Sequence, residues 1–261
     1  MPLSTRPKGL LLDLDGTVYT EAGLIPGADR AVRALRESGV LLRFVTNTTR
    51  VPRSTIAGWL RDYGIEAQAD DVFTPPLAAA DWLRRSGLRR VAIFLPPHTF
   101  AEFDGLEIIE DDPEAVVIGD LGPGWTFEVM NRAFRWVLGG AEFLALHRNR
   151  YWLTADGLAL DVGAFAAALE FATSRTARLV GKPSRPMFAA AAGSMGLEIA
   201  DVAMVGDDLE SDIAGIHECG GVGIMVRTGK FREEELAGSD AAPELVIDTI
   251  ADLPLHLSKL S

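Results

Sequence analysis

Short apolar runs without polar alternation recur along this 261-residue chain, and each is followed by an amphipathic helical pattern or a loop. Residues 10–14 form the first run, 28–37 a helix stopped by Gly39, 41–45 a second strand, and 55–63 a second helix stopped by Gly64. Apolar runs of this kind suit strands buried on both faces, and strand-helix alternation implies a parallel sheet with helices covering it. The rhythm continues through strands at 91–95, 115–118 and 143–146, and helices near 127–137 and 165–171. It closes with strands at 178–180, 202–205 and 222–226. The expected class is α/β, with a Rossmann-like parallel sheet as its core.

Composition narrows the partners. A formal charge of -12 leaves no basic excess for nucleic acid phosphates or anionic membranes, so neither is expected as a partner. A small anionic substrate then needs a local positive centre, such as a lysine or a metal ion. The single cysteine, Cys219, excludes an internal disulfide and a thiolate zinc cluster and fits a reducing compartment. The N-terminal MPLSTRPKG runs directly into a strand instead of a signal-peptide apolar region, and no stretch reaches the ~20 apolar residues of a membrane span. A cytoplasmic location is expected.

Four polar constellations stand at the ends of apolar runs, where open α/β sheets bind ligands. LLLDLDGT sets Asp13 and Asp15 there, with Gly16 allowing a sharp departure; the same Asp-Gly pair also serves turns and helix caps. FVTNTTR offers Thr46, Asn47 and Thr48, whose hydroxyls and amides can hold phosphate oxygens or cap the next helix. LVGKPS presents Lys182 between Gly181 and Pro183, either a fixed point charge or a solvated surface lysine. MVGDDLESD clusters Asp207, Asp208 and Asp212. Acids at this density repel unless a cation is present, and hard oxygen ligands suit Mg2+. Asp208 fits an acidic helix start, Asp207 direct coordination, and Asp212 the metal's waters one turn later.

The ordered set DLDGT, TNT, GKP and GDDLESD resembles the four motifs of the haloacid dehalogenase superfamily of phosphotransferases, over nearly the whole chain. An insert between the second and third motifs resembles that superfamily's type-two cap (subfamily IIA, NagD-like). TNTTR, HRNRYWLTADGLAL, AALEFAT, VGKP, VGDDLESDI and VRTGKFR are similar to the haloacid dehalogenase-like hydrolase domain-containing protein 2 group. That group lies beside the phospholysine phosphohistidine inorganic pyrophosphate phosphatases.

The resemblance implies a Mg2+-dependent phosphatase of a small phosphorylated metabolite, working through an aspartyl phosphate. It gives Asp13 the nucleophile's role and Asp15 that of general acid and base. Thr46 and the amides near Asn47 orient the phosphoryl oxygens, and Lys182 neutralises Asp13 and the transferring group. It has Mg2+ held by the Asp13 carboxylate, the Asp15 carbonyl and Asp207, with Asp212 acting through water. A proton donor at Asp15 speaks against carbon-halogen hydrolysis, because halide leaves without one. Relatives with this cap often read Thr-Asn-Asn where this chain has Thr48 in third place.

Residues 1–76 and 177–261 are expected to form the catalytic core, and 77–176 the α/β cap. A closing cap excludes water and supplies contacts to the leaving group. In it, His147, Arg148, Asn149, Arg150 and Tyr151 follow a strand, and His147 and Arg150 are candidate substrate ligands; a solvated connection is the alternative. Trp125, Trp136 and Trp152 are expected in packing. Arg50, Asp120 and Asp208 receive no catalytic role. The relatives imply self-association through the cap. Two other functions fit the same motifs: hydrolysis of phosphoramides or pyrophosphate, and a low-turnover metabolite-binding regulator.

Overall fold

The structure is a computed structural model and describes residues 3, 5–154, 157–239 and 241–260, without the side chains of 152–154. The chain divides into two compact units: residues 1–46, 53–73 and 182–261 form the first, and 47–52 with 74–181 the second. Residues 47–52 therefore go with the second unit, whose boundaries fall a few residues outside 77–176.

The first unit is built on a six-stranded sheet in the order Leu245–Ile247, Val222–Val226, Val202–Gly206, Gly9–Leu12, Leu41–Val45, Val72–Phe73. All neighbouring pairs are parallel. Leu10, Leu11 and Leu12 are fully buried, the condition for an uninterrupted apolar strand. The helix Ala28–Glu37 buries Ala28, Ala31, Val32 and Leu35, one stripe at helical spacing. Chain order reverses between Gly9–Leu12 and Val202–Gly206, because the chain first builds outward through Leu41–Val45 and Val72–Phe73 and later returns on the other side.

The first strand is shorter than its apolar run suggests. It ends at Leu12, so Asp13 is the first residue beyond the sheet. Leu14 stays buried but belongs to a turn: its carbonyl accepts the amides of Thr17, Val18 and Tyr19 at 3.2, 2.8 and 3.1 Å. Burial continued past the point where strand geometry stopped.

The second unit repeats the design with a five-stranded parallel sheet, Arg178–Leu179, Glu142–Ala145, Ala115–Ile118, Arg90–Phe94, Glu107–Ile108. Alternate strand residues enter two cores. Phe94, Val116, Ile118 and Phe143 meet Ala133 and Val137 of the helix Phe127–Leu138 and Leu169 of Val162–Thr173. Val91, Val117 and Leu144 meet Ala79, Ala80 and Leu83 of Pro75–Arg85. Trp125 stacks on Phe94 and Phe165, and Trp136 leans on Phe94, both in packing roles. Trp152's side chain lies outside the described residues. Tyr151–Thr154 and Gly157–Leu160 pair antiparallel. Among the described residues no helix is long and apolar enough to cross a membrane.

Phe44 is fully buried in Leu41–Val45, register partner of Leu12. Phe44→Ala should lower the unfolding free energy by about 3–5 kcal/mol. The measurement is the urea midpoint at unchanged slope; a loss below about 1 kcal/mol would contradict this account of the core.

Candidate active site

The carboxyl ends of the two strands at the chain reversal carry Asp13, directly after Leu12, and Asp207, directly after Gly206. A reversal of this kind opens a crevice beyond the sheet. The register that pairs Leu12 with Val205 puts Asp13 opposite Gly206, one residue before Asp207, and the Asp13 amide donates to the Val205 carbonyl at 2.9 Å. Asp212 arrives from the π-helical segment Leu209–Ala214, which Asp208 caps by accepting the Glu210 and Ser211 amides at 3.1 and 2.9 Å. Asp208 is thus a cap. The carboxylates of Asp13, Asp207 and Asp212 offer oxygens all within 4.8 Å of one another, and all three residues are buried.

Lys182 holds this group together. Its Nζ donates to Asp13 Oδ1 at 2.5 Å and to Asp212 Oδ1 at 2.6 Å, and the residue is 4% exposed. Burial opposes the ammonium charge, but Asp13 and Asp212 outweigh it and hold the group above its ordinary value. The three carboxylates and one ammonium, fully ionised, sum to two negative charges. Burial and the nearby charge of Asp13 push the Asp207 carboxyl up to about 6, against the pull of Lys230. Burial likewise raises Asp212, opposed by Lys182 and helped by Asp13. A hard divalent cation fits this donor set in charge and in chemistry.

Asp207 sits in a backbone cradle. Gly16 and Gly229 both have positive φ, +92° and +60°, and a Cβ at either would overlap Asp207 Oδ2. Only glycine lets the two loops close on the carboxylate. The loop after Val222–Val226 completes the cradle: the Lys230 amide donates to Asp207 Oδ2 at 2.7 Å, its Nζ to Asp208 Oδ2 at 2.7 Å, and Thr228 Oγ1 to the Gly16 carbonyl at 2.5 Å. Lys230 is a position at this cluster that motif reading missed. The signal was available, since VRTGK puts a Gly-Lys pair just beyond a strand, as VGKP does.

Asp15 lies at the surface two residues from Asp13. Partial desolvation and the Asp13 charge hold its carboxyl above the ordinary carboxylate range. Thr46, buried, follows the neighbouring strand Leu41–Val45, and its amide donates to the Phe73 carbonyl at 3.0 Å. The first unit therefore gathers Asp13, Lys182, Asp207 and Asp212, with Asp15 close by in sequence and charge. Asn47 and Thr48 fall in the second unit. So do His147, buried beside Asp161, and Arg150, which is exposed. Arg50 and Asp120 pair with each other there.

Known proteins share this architecture. A family model described as haloacid dehalogenase-like hydrolase matches residues 10–108, and one described as HAD-hydrolase-like matches 179–253. The chain belongs to the haloacid dehalogenase-like hydrolase family. It is 35% identical to haloacid dehalogenase-like hydrolase domain-containing protein 2 of Homo sapiens, over 96% of this chain and 95% of that protein. It is 36% identical to phospholysine phosphohistidine inorganic pyrophosphate phosphatase of Danio rerio, over 94% and 92%. The structure of p-nitrophenyl phosphatase from Archaeoglobus fulgidus matches with a TM-score of 0.89 at 28% identity, over 96% and 99%.

A carboxyl raised in the folded state contributes stability below its unfolded value, about 3.9, and that contribution is lost as pH rises through its folded value. For Asp207 the window runs from about pH 4 to the folded value of about 6. In EDTA, Asp207→Asn should therefore gain stability over the parent by on the order of 2–3 kcal/mol as pH rises across it. Urea titrations at several pH values check this, and saturating Mg2+ should stabilise the parent selectively. Parallel pH curves for the two proteins would contradict it.

Proposed function

We propose that the protein is a Mg2+-dependent phosphatase acting on a small phosphorylated metabolite through a phosphoryl group carried on Asp13. The observation that carries this reading is the buried ammonium of Lys182 shared between Asp13 and Asp212, beside Asp207, at the carboxyl ends of the two central strands. Asp13, Asp207 and Asp212 would hold the cation, together with the Asp15 carbonyl. Bound there, Mg2+ supplies positive charge that orients the phosphate and offsets its developing charge.

The chain's own residues divide the rest of the chemistry. A carboxylate oxygen of Asp13 bonds to phosphorus as the bond from phosphorus to the leaving oxygen breaks. The Asp15 carboxyl gives its proton to that oxygen, and its raised titration suits a proton donor. Asp15, now a carboxylate, takes a proton from water as the water oxygen attacks phosphorus. The bond from phosphorus to Asp13 then breaks, releasing inorganic phosphate and restoring both acids. Lys182 holds the Asp13 carboxylate in direction by its hydrogen bond, and Thr46 orients phosphoryl oxygens with its hydroxyl. Residues 77–176 take the part of the family's type-two cap.

A second reading is hydrolysis of phosphoramides or pyrophosphate, favoured by the 36% identity to a phosphatase named for phospholysine, phosphohistidine and pyrophosphate. The same Asp13 attack serves it, with a nitrogen or phosphate as leaving group.

The test is hydrolysis of p-nitrophenyl phosphate, an alkyl phosphate, pyrophosphate and imidodiphosphate with Mg2+ or EDTA. Asp13→Asn should lower kcat at least ~10³-fold on every substrate. Asp15→Asn should cost ~10²- to 10⁴-fold on the alkyl ester and less on p-nitrophenyl phosphate, whose leaving group needs no proton. Full activity in Asp13→Asn or in EDTA would sink the proposal. A higher kcat/KM for imidodiphosphate and pyrophosphate than for the esters would favour the second reading.

A further inference from the structure

The segment that follows the strand Val222–Val226 turns back on the acids of the first unit. The Arg227 amide donates to the Ile247 carbonyl at 3.0 Å and ties the start of the segment to the edge strand Leu245–Ile247. The Phe231 amide donates to the Thr228 carbonyl at 3.2 Å and closes a four-residue turn, with Gly229 at φ +60° in its second position. Three contacts run from this turn to the loops that carry the acids. Thr228 Oγ1 donates to the Gly16 carbonyl at 2.5 Å, the Lys230 amide to Asp207 Oδ2 at 2.7 Å, and Lys230 Nζ to Asp208 Oδ2 at 2.7 Å.

Lys230 therefore touches two consecutive acids with two different groups. Its amide meets Asp207 Oδ2, the oxygen that Gly16 and Gly229 enclose. Its ammonium meets Asp208, whose other oxygen accepts the Glu210 and Ser211 amides and whose own amide donates to Asp212 Oδ2 at 3.2 Å. One residue is thus joined directly to Asp207 and, through Asp208, to Asp212.

The outer side of the turn is lightly packed. The helix that follows, Glu233–Ala237, buries no residue, and a cavity of about 440 Å³, lined by Asp208, Leu209, Glu210, Lys230 and Glu235 among others, adjoins the ion pair. The Lys230 side chain is 71% exposed and that of Asp208 23%. An ion pair so placed adds little to folding stability. It does set direction: with open space beside the turn, the place of the Lys230 amide depends on where its side chain is tied.

We infer that Lys230 is a positioning residue for the bound cation: its ion pair with Asp208 holds the turn so that its amide fixes Asp207 Oδ2 and leaves Oδ1 to the cation. The inference rests on the Mg2+ site of the proposed function and adds to it a residue that touches neither substrate nor reacting atoms. Charge and position act in opposite directions here. The Lys230 charge bears on Asp207, Asp208 and Asp212, so by charge alone its removal would tighten Mg2+. By position, its removal weakens Mg2+.

The experiment unfolds the full chain in urea at increasing Mg2+ and reads the Mg2+ Kd from the rise of the midpoint. Lys230→Met keeps the backbone amide and loses the ion pair. It should raise the Kd at least about threefold, because losing a partner that orients a metal ligand costs ~10- to 100-fold and here the amide itself remains. Lys230→Arg restores a charge-assisted contact with Asp208 and should return the Kd to within about twofold of the parent. In EDTA the midpoint of Lys230→Met should stay within about 0.3 M of the parent. An unchanged or lower Kd in Lys230→Met overturns the inference, as does a Lys230→Arg that binds as weakly as Lys230→Met. A larger midpoint drop in EDTA assigns Lys230 to folding and overturns it too. Each of these results leaves the phosphatase reading standing, whereas a parent that Mg2+ does not stabilise removes the cation site and the inference together.

Discussion

Lys182 donates to two buried carboxylates, and the geometry of the candidate active site follows from that one cation. Removing an ammonium from water is costly, and the cost is offset only where opposite charges are already fixed in place. Asp13 is fixed by the end of the strand Gly9–Leu12, and Asp212 by a π-helical segment capped at Asp208. Lys182 is the first residue of the chain's return to the first unit after residue 181. Its two short contacts therefore tie together positions separated by 169 and 30 residues. Asp207 is held by the Lys230 amide between two glycines, and burial raises its titration. Fully ionised, the three carboxylates and the ammonium carry two negative charges, which suits a divalent ion.

Much of this was legible from residue order. Asp13, Lys182 and Asp207 each follow an apolar run, and parallel strands put such positions on one edge whatever the loops between them do. The α/β class was legible for the same reason. Other features were not. Hydrophobicity cannot tell where a buried strand becomes a buried turn, so residues 10–14 overran the true end at Leu12. Lys230 was passed over although its Gly-Lys pair lies just beyond a strand, because its contact with Asp207 is made by a backbone amide and not by the side chain. The run His147-Arg148-Asn149-Arg150 reads equally as substrate ligands or as a solvated connection, and the packing of the strand end buries His147 and leaves the other three exposed. Asp161 caps the helix Val162–Thr173 and lies 3.7 Å from the His147 ring, a proximity that residue order does not reveal.

The two units use one structural rule twice. In each, parallel strands bury apolar side chains on both faces and present polar residues at a carboxyl edge where the chain order reverses. The first edge concentrates acids around a lysine; the second carries a buried imidazole, His147, with Asp161 near it. Their chemistry differs because the residues just past the strands differ, while the sheets that carry them are of one kind.

The central claim is that Asp13, held in place by Lys182, carries the phosphoryl group. Acid quench during turnover of p-nitrophenyl phosphate, followed by borohydride reduction and peptide sequencing, tests it most directly, because borohydride converts an acyl phosphate to an alcohol. The account predicts homoserine at position 13 in the parent and none in Lys182→Met. Reduction at a different carboxylate, or none at all while phosphate is being released, would contradict it.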